Sequence, residues 1–147
     1  MKIKLLDNRA RIPEYATEGA GAFDLTFLET TDGYLTAAVR RGFPVTCRTG
    51  IAVQIPAGFS LLILSRSGHG FNHDVRLANC VGLIDSDYRG EILVKLTTDG
   101  APFNVRSGAR IAQAVLIHTP QVGAFELVEN LDSTERGAGG FGSTGNA

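Results

Sequence analysis

"VGLIDSDYRGEILVKL", residues 81–96, places two apolar, β-branched runs on either side of a polar loop. Val81–Ile84 and Ile92–Leu96 have the composition and length of strands, and Gly90 near the end of "DSDYRGE" suits a turn. The stretch predicts a hairpin whose loop is rigidly mounted and open to solvent, a good place for a reactive group. Asp85 and Asp87 stand two apart in that loop, followed by Tyr88 and Arg89. On this segment alone the aspartates read as turn formers, because Asp makes Asx-turns.

The same punctuation continues outward in both directions. Turn sequences such as "TDGY", "IPAG", "RSGHG" and "TDGAP" separate the short runs Ile3–Leu6, Phe23–Leu28, Ile51–Ile55, Leu61–Leu64 and Ala112–His118. Many short strands with regularly spaced turns predict an all-β sandwich, jelly roll or barrel with little helix. The apolar pattern stops at about Ser133, so residues 1–132 read as one β domain and 133–147 as a glycine-rich C-terminal arm.

Composition narrows the class of function. The chain has 147 residues, 44% hydrophobic and 20% charged, which suits a single globular domain with a core. A net charge of −1 argues against nucleic-acid wrapping. The N-terminus carries no sustained apolar run and no stretch is long enough to span a bilayer, so no membrane partner and a cytoplasmic location are expected. Cys47 and Cys80 lack metal-ligand spacing and do not suggest a disulfide scaffold.

Eleven of the fourteen basic residues are arginine, whose planar fork suits carboxylates and phosphates. There is no G-x-S-x-G elbow, no Walker A sequence and no zinc ligand set. What remains is a series of loops joining arginine to glycine or hydroxyl residues: "RSG" at 66–68, "RIAQ" at 110–113 and "RGAGGFGSTG" at 136–145. Each alone is a turn with a surface arginine. Together with a mounted carboxylate, they suggest a nucleoside phosphate site, because glycine-freed N–H groups and guanidiniums both bind phosphate oxygens.

The order of these pieces resembles the trimeric dUTP pyrophosphatase (dUTPase) family, whose five motifs run along nearly the whole chain. They appear as "GAFDL" at 21–25, "RSG" at 66–68, "NCVGLIDSDYRGE" at 79–91, "RIAQ" at 110–113 and "RGAGGFGSTG" at 136–145. The resemblance implies a β jelly roll assembled as a homotrimer, with active sites between subunits and a C-terminal arm reaching a neighbour's site. It also implies hydrolysis of dUTP to dUMP and pyrophosphate with Mg2+.

By position, Asp85 resembles the base that activates water for attack on the α-phosphorus. Asn79 and the backbone of Gly82, Leu83 and Ile84 resemble the hairpin that reads uracil. Tyr88 would lie against the deoxyribose and leave no room for a 2′-hydroxyl. Arg66, Ser67, Gly68 and Gln113 match phosphate-holding positions, and Arg136 the residue that reaches the γ-phosphate. Phe141 would stack on uracil, with Gly142, Ser143 and Thr144 closing on the triphosphate.

Magnesium in this family is held chiefly by triphosphate oxygens. No direct protein ligand is expected, and Asp24 would act through the metal's waters. Four positions depart from the family pattern: Ala22, Ser65, His69 and Asp74 stand where glycine, proline, an apolar residue and glycine are usual. His69 and His73 read as surface-loop histidines, and Cys80 as a small buried hydrophobe. Two alternatives stay open, a dCTP deaminase-type enzyme and a dUTP-sensing regulatory protein.

Overall fold

The computed structural model describes residues 1–140. In chain order its strands are β1 (Lys2–Leu5), β2 (Phe23–Thr26), β3 (Glu29–Thr30), β4 (Thr36–Val39), β5 (Val45–Gln54), β6 (Phe59–Ser65), β7 (Val75–Leu77), β8 (Gly82–Ile84), β9 (Glu91–Thr98), β10 (Phe103–Arg106) and β11 (Arg110–His118). A single short helix, α1 (Ser67–His73), joins β6 to β7 among these residues.

Two sheets carry the fold. One has the order β1-β5-β9-β7, with β3 also on β5; the other runs β2-β11-β6-β8; a small β10-β4 pair completes the set. Strand β9 shows why they pack: Ile92, Val94, Leu96 and Thr98 are buried, and Leu93 and Lys95 between them are exposed. That period of two gives the strand one apolar face. Leu25, Leu61, Ile63 and Ala112 of the second sheet join Cys47, Ile92, Val94 and Leu96 of the first in one core. Burying each large side chain contributes about 1.5–3 kcal/mol. The result is the expected jelly-roll sandwich.

The hairpin expected across residues 81–96 does not form. Strand β8 pairs with β6, and β9 pairs with β5 and β7, so the loop between them crosses from one sheet to the other. Two apolar runs flanking a turn describe a hairpin and an inter-sheet arch equally well. The choice is made by the long edges of β5 and β6, which offer each run a separate partner.

"RSG" is also no free loop. Ser67 and Gly68 open α1, and Arg66 is its N-cap. The helix has no buried residue, so it leaves no apolar periodicity in the sequence. After His118 no strand or helix appears among the described residues, and 121–138 are exposed throughout.

Candidate functional site

Four of the five motifs lie on the four strands of the second sheet: the first on β2, the fourth on β11, the second at the end of β6 and the third on β8. Register decides what meets. Asp24 faces Gln113, Gln113 also faces Leu64, and Ala112 faces Ser65. The first, second and fourth motifs therefore converge at one end of the sheet. Gln113, between two partner strands, is no edge residue.

A β-bulge between Arg110 and Ala112 shifts the β11–β2 register. Bulges re-aim side chains next to functional sites. Here Nη1 of Arg110 donates to Oδ2 of Asp24 at 3.0 Å, while Nε of Arg66 donates to Oδ1 at 3.2 Å. Nη1 of Arg66 also reaches the carbonyl of Arg110, 3.1 Å away. One buried carboxylate thus holds two guanidiniums side by side, with the N–H groups of the first turn of α1 beside them. Positive charge and donors in this arrangement suit phosphate oxygens.

His69 belongs to this cluster and is not a surface-loop residue. Its Nε2 lies 3.0 Å from Nη1 of Arg66, and its ring packs on Phe103 with centroids 5.0 Å apart. Arg66 can only donate, so neutral His69 must carry its proton on Nδ1, which is buried and has no partner among the described residues. Burial depresses its pKa below the ordinary 6.5, and the positive charge of Arg66 adds to the effect. His73 packs on the same Phe103 ring at 4.8 Å.

A cleft of about 560 Å3 opens beside the pair, lined by Arg11, Glu14, Tyr15, Asp24, Thr26 and Arg110. Sequence reasoning gives no signal for Arg11, Glu14 or Tyr15, whose irregular segment has no period; only its position just ahead of "GAFDL" links it to the site.

The third motif runs antiparallel to β6, so its Asp85 end lies at the other end of the sheet. Ile84 faces Leu61, so Asp85 follows beyond Leu61 while Arg66 follows Ser65. Six residue steps along β6, from the level of Ser60 to Arg66, separate the two positions, about 20 Å at the strand rise of 3.3 Å per residue. A single subunit does not bring Asp85 to Arg66, Gln113 or Asp24. Asp85 is exposed at the start of its loop.

The loop around it is well tied. Arg89 Nη1 donates to the carbonyls of Ser86 and Tyr88 at 2.7 and 2.9 Å, and the Tyr88 hydroxyl donates to the Glu91 carbonyl at 3.1 Å. Upstream, Nδ2 of Asn79 donates to the Val81 carbonyl at 3.1 Å. Gly82 lets β8 approach β6 closely, since a Cβ there would lie 3.1 Å from that of Ile63. Leu83 is exposed and Ile84 packs on the core.

Cys80 is exposed with φ of 63°, which corrects the expectation of a buried hydrophobe. Cys47 is the buried one, and burial pushes its thiol up to about 12. Arg136 is exposed and donates from Nε to the Gly139 carbonyl at 2.9 Å. Phe141, Gly142, Ser143 and Thr144 lie outside the described residues.

Among the described residues no three His, Cys, Asp or Glu side chains gather as a metal cage. Asp24, the acidic group of the arginine cluster, already has both oxygens engaged. No helix is long and apolar enough to cross a membrane.

Fold and site together define a jelly-roll protein with an anion-directed arginine cluster at one end of a sheet and a carboxylate loop at the other. Residues 8–145 match the dUTPase family, and the chain belongs to it. It is 45% identical over 141 residues to a deoxyuridine 5′-triphosphate nucleotidohydrolase of Desulfitobacterium hafniense, covering 95% of this chain and 90% of the relative. It is 44% identical over 149 residues to the enzyme of that name from Bordetella parapertussis, covering 99% and 97%. A mutant dUTPase of Staphylococcus bacteriophage 80alpha, solved with dUpNHpp, superposes with a TM-score of 0.86 at 25% identity, over 99% of this chain and 98% of that one.

Proposed function

We propose that the chain hydrolyses dUTP to dUMP and pyrophosphate in sites shared between the subunits of a homotrimer. The observation that carries the reading is the placement of the motifs: the phosphate-directed cluster and the carboxylate loop occupy opposite ends of one sheet. Separation within a subunit supports assembly in which Asp85 of one copy faces Arg66, Ser67, Gly68 and Gln113 of another. The strong resemblance to named nucleotidohydrolases supports the substrate.

In this reading Asn79 and the backbone at Gly82, Leu83 and Ile84 select uracil by hydrogen bonding, and Tyr88 walls off the sugar. Asp85 accepts the proton of a water as its oxygen attacks the α-phosphorus, and pyrophosphate leaves. An exposed carboxylate at a loop start can meet a water poised for attack. The guanidiniums hold the triphosphate by charge-assisted hydrogen bonds. A magnesium ion held by the triphosphate would neutralise its charge, and Asp24 would reach that ion only through its waters, since both carboxylate oxygens are taken by arginines.

Residues 133–147 act as an arm that closes the occupied site, Arg136 on the γ-phosphate and Phe141, Gly142, Ser143 and Thr144 over the nucleotide.

The test is pyrophosphate release from a panel of dUTP, dCTP, dTTP and UTP with Mg2+. Selective turnover of dUTP is expected, with loss of turnover but retained binding in Asp85→Asn. Ammonia release from dCTP overturns the reading in favour of a deaminase.

A further inference from the structure

Glu91 closes the active-site loop and is tied on three sides. Its carbonyl accepts the Tyr88 hydroxyl at 3.1 Å. Oε1 accepts the N–H of Gly50 at 2.7 Å, and Oε2 accepts Nε of Arg48 at 3.0 Å. These contacts occur where the β5–β9 register breaks: Arg48 faces Leu93 and Ala52 faces Glu91, leaving Thr49, Gly50 and Ile51 opposite Ile92 alone. The Thr49 hydroxyl donates to the Ile92 carbonyl at 2.6 Å, and the Glu91 carboxylate takes the Gly50 N–H. The bulge is therefore plugged by a side chain from the first residue after the loop.

Behind Glu91 the charges alternate in sign. Arg48 bridges Glu91 to Glu29, Arg9 bridges Glu29 to Asp7, and Glu29 is only 7% exposed. Tyr88 sits at the outer end of this chain. Its ring lies over Gly90, where an added Cβ would fall 2.3 Å from the hydroxyl oxygen, and the residue is 44% exposed. An exposed ring held by one hydrogen bond yields to an intruding group unless the acceptor is fixed. Here the acceptor is the carbonyl of a residue whose side chain is locked into a bulge.

We propose that Arg48 and Glu91 are positioning residues for sugar selectivity, fixing Tyr88 so that a 2′-hydroxyl cannot displace it. The inference rests on the reading of the chain as a dUTP-hydrolysing enzyme with Tyr88 at the sugar. A hydroxyl is rejected only by a wall that does not give way, because a soft pocket discriminates weakly against small additions.

The experiment compares kcat/KM for dUTP and UTP in wild type, Glu91→Gln, Arg48→Met, Tyr88→Phe, Tyr88→Ala and the paired variants, with melting temperatures alongside. In Glu91→Gln the amide nitrogen meets either the Arg48 or the Gly50 donor, so one tie is lost in a side chain of the same shape. The dUTP-over-UTP ratio is expected to fall about tenfold in Glu91→Gln and Arg48→Met. Adding Tyr88→Phe to either is expected to lower it by less than about twofold more, since both changes release the same ring.

A merely structural role shifts the melting temperature and leaves the ratio unchanged. An unchanged ratio in folded Glu91→Gln, with the ratio lost in Tyr88→Ala, overturns the clamp and leaves the enzymatic reading intact. Should Arg48→Met not fold, Glu91→Gln and Tyr88→Phe decide the matter alone. A wild-type protein that ignores dUTP, or turns over UTP equally, overturns the reading and the clamp together.

Discussion

Arg66 donates from Nε to Oδ1 of Asp24 at 3.2 Å, linking the end of β6 to β2 across the intervening β11. Arg110 takes the other carboxylate oxygen at 3.0 Å, so one acidic side chain holds two guanidiniums side by side. Replacing Asp24 by Asn keeps the shape and removes the charge between two guanidiniums. The variant is expected to lose about 1–2 kcal/mol of stability, because the pair is partly screened on the Arg110 side. Denaturant unfolding measures this. An unchanged midpoint means the two contacts contribute nothing net.

The contact between His69 and Arg66 makes a pH prediction. Neutral imidazole accepts from the guanidinium; protonated imidazole cannot and repels it. Burial, then the charges of Arg66 and His73, lower the folded pKa below 6.5, while Asp24 opposes them and Arg110 adds a smaller lowering. The unfolded chain therefore binds the proton first. The stability contributed by this preference is fully present above about pH 6.5 and is lost as pH falls through the folded value. His69→Leu is expected to flatten the decline in melting temperature between neutral and mildly acid pH. Parallel curves for the two proteins count against it.

Gly50 occupies the bulge with φ of 71°, and a Cβ there would lie 2.6 Å from that of Ala10 and 2.9 Å from Cδ2 of Leu28. Gly50→Ala combines left-handed backbone strain with overpacking, and about 2–4 kcal/mol of destabilisation is expected. Guanidinium unfolding with an unchanged slope would register the loss as a lower midpoint. A loss under half a kilocalorie per mole, to order of magnitude, would mean that the segment at Ala10 moves aside freely.

What the sequence discloses follows from how local each feature is. The strands near Phe23, Leu61, Ile92 and Ala112 are visible because apolar runs bounded by turns are a local signal. The pairing of β8 and β9 is not, since Val81–Ile84 and Ile92–Leu96 carry no mark of which sheet each joins. Helix α1 buries nothing and so has no periodicity to read. The clamp at Glu91 escapes for another reason: Arg48 is an ordinary strand residue until the bulge beside it in β5 lets Glu91 reach it. The site motifs are legible as phosphate-type loops, but the distance between Asp85 and Arg66 comes only from strand register.

That distance makes the sharpest test of assembly. If each site combines Asp85 of one subunit with Arg66 of another, two inactive variants can rescue each other. Asp85→Asn and Arg66→Gln should each be nearly inactive alone. In trimers mixed at equal proportions, a site works when its Asp85 donor carries the Arg66 substitution and its Arg66 donor carries the Asp85 substitution. Each condition is met half the time, so about a quarter of wild-type activity is expected in the mixture. A site built within one subunit predicts no recovery, because every subunit lacks one of the two residues. Co-refolding the variants and measuring pyrophosphate release distinguishes these outcomes. Zero recovery in a mixture shown to contain both chains in one assembly would place Asp85 and Arg66 in the same subunit's site. The strand register of β6 and β8 argues against that arrangement, since it sets the two residues at opposite ends of the sheet.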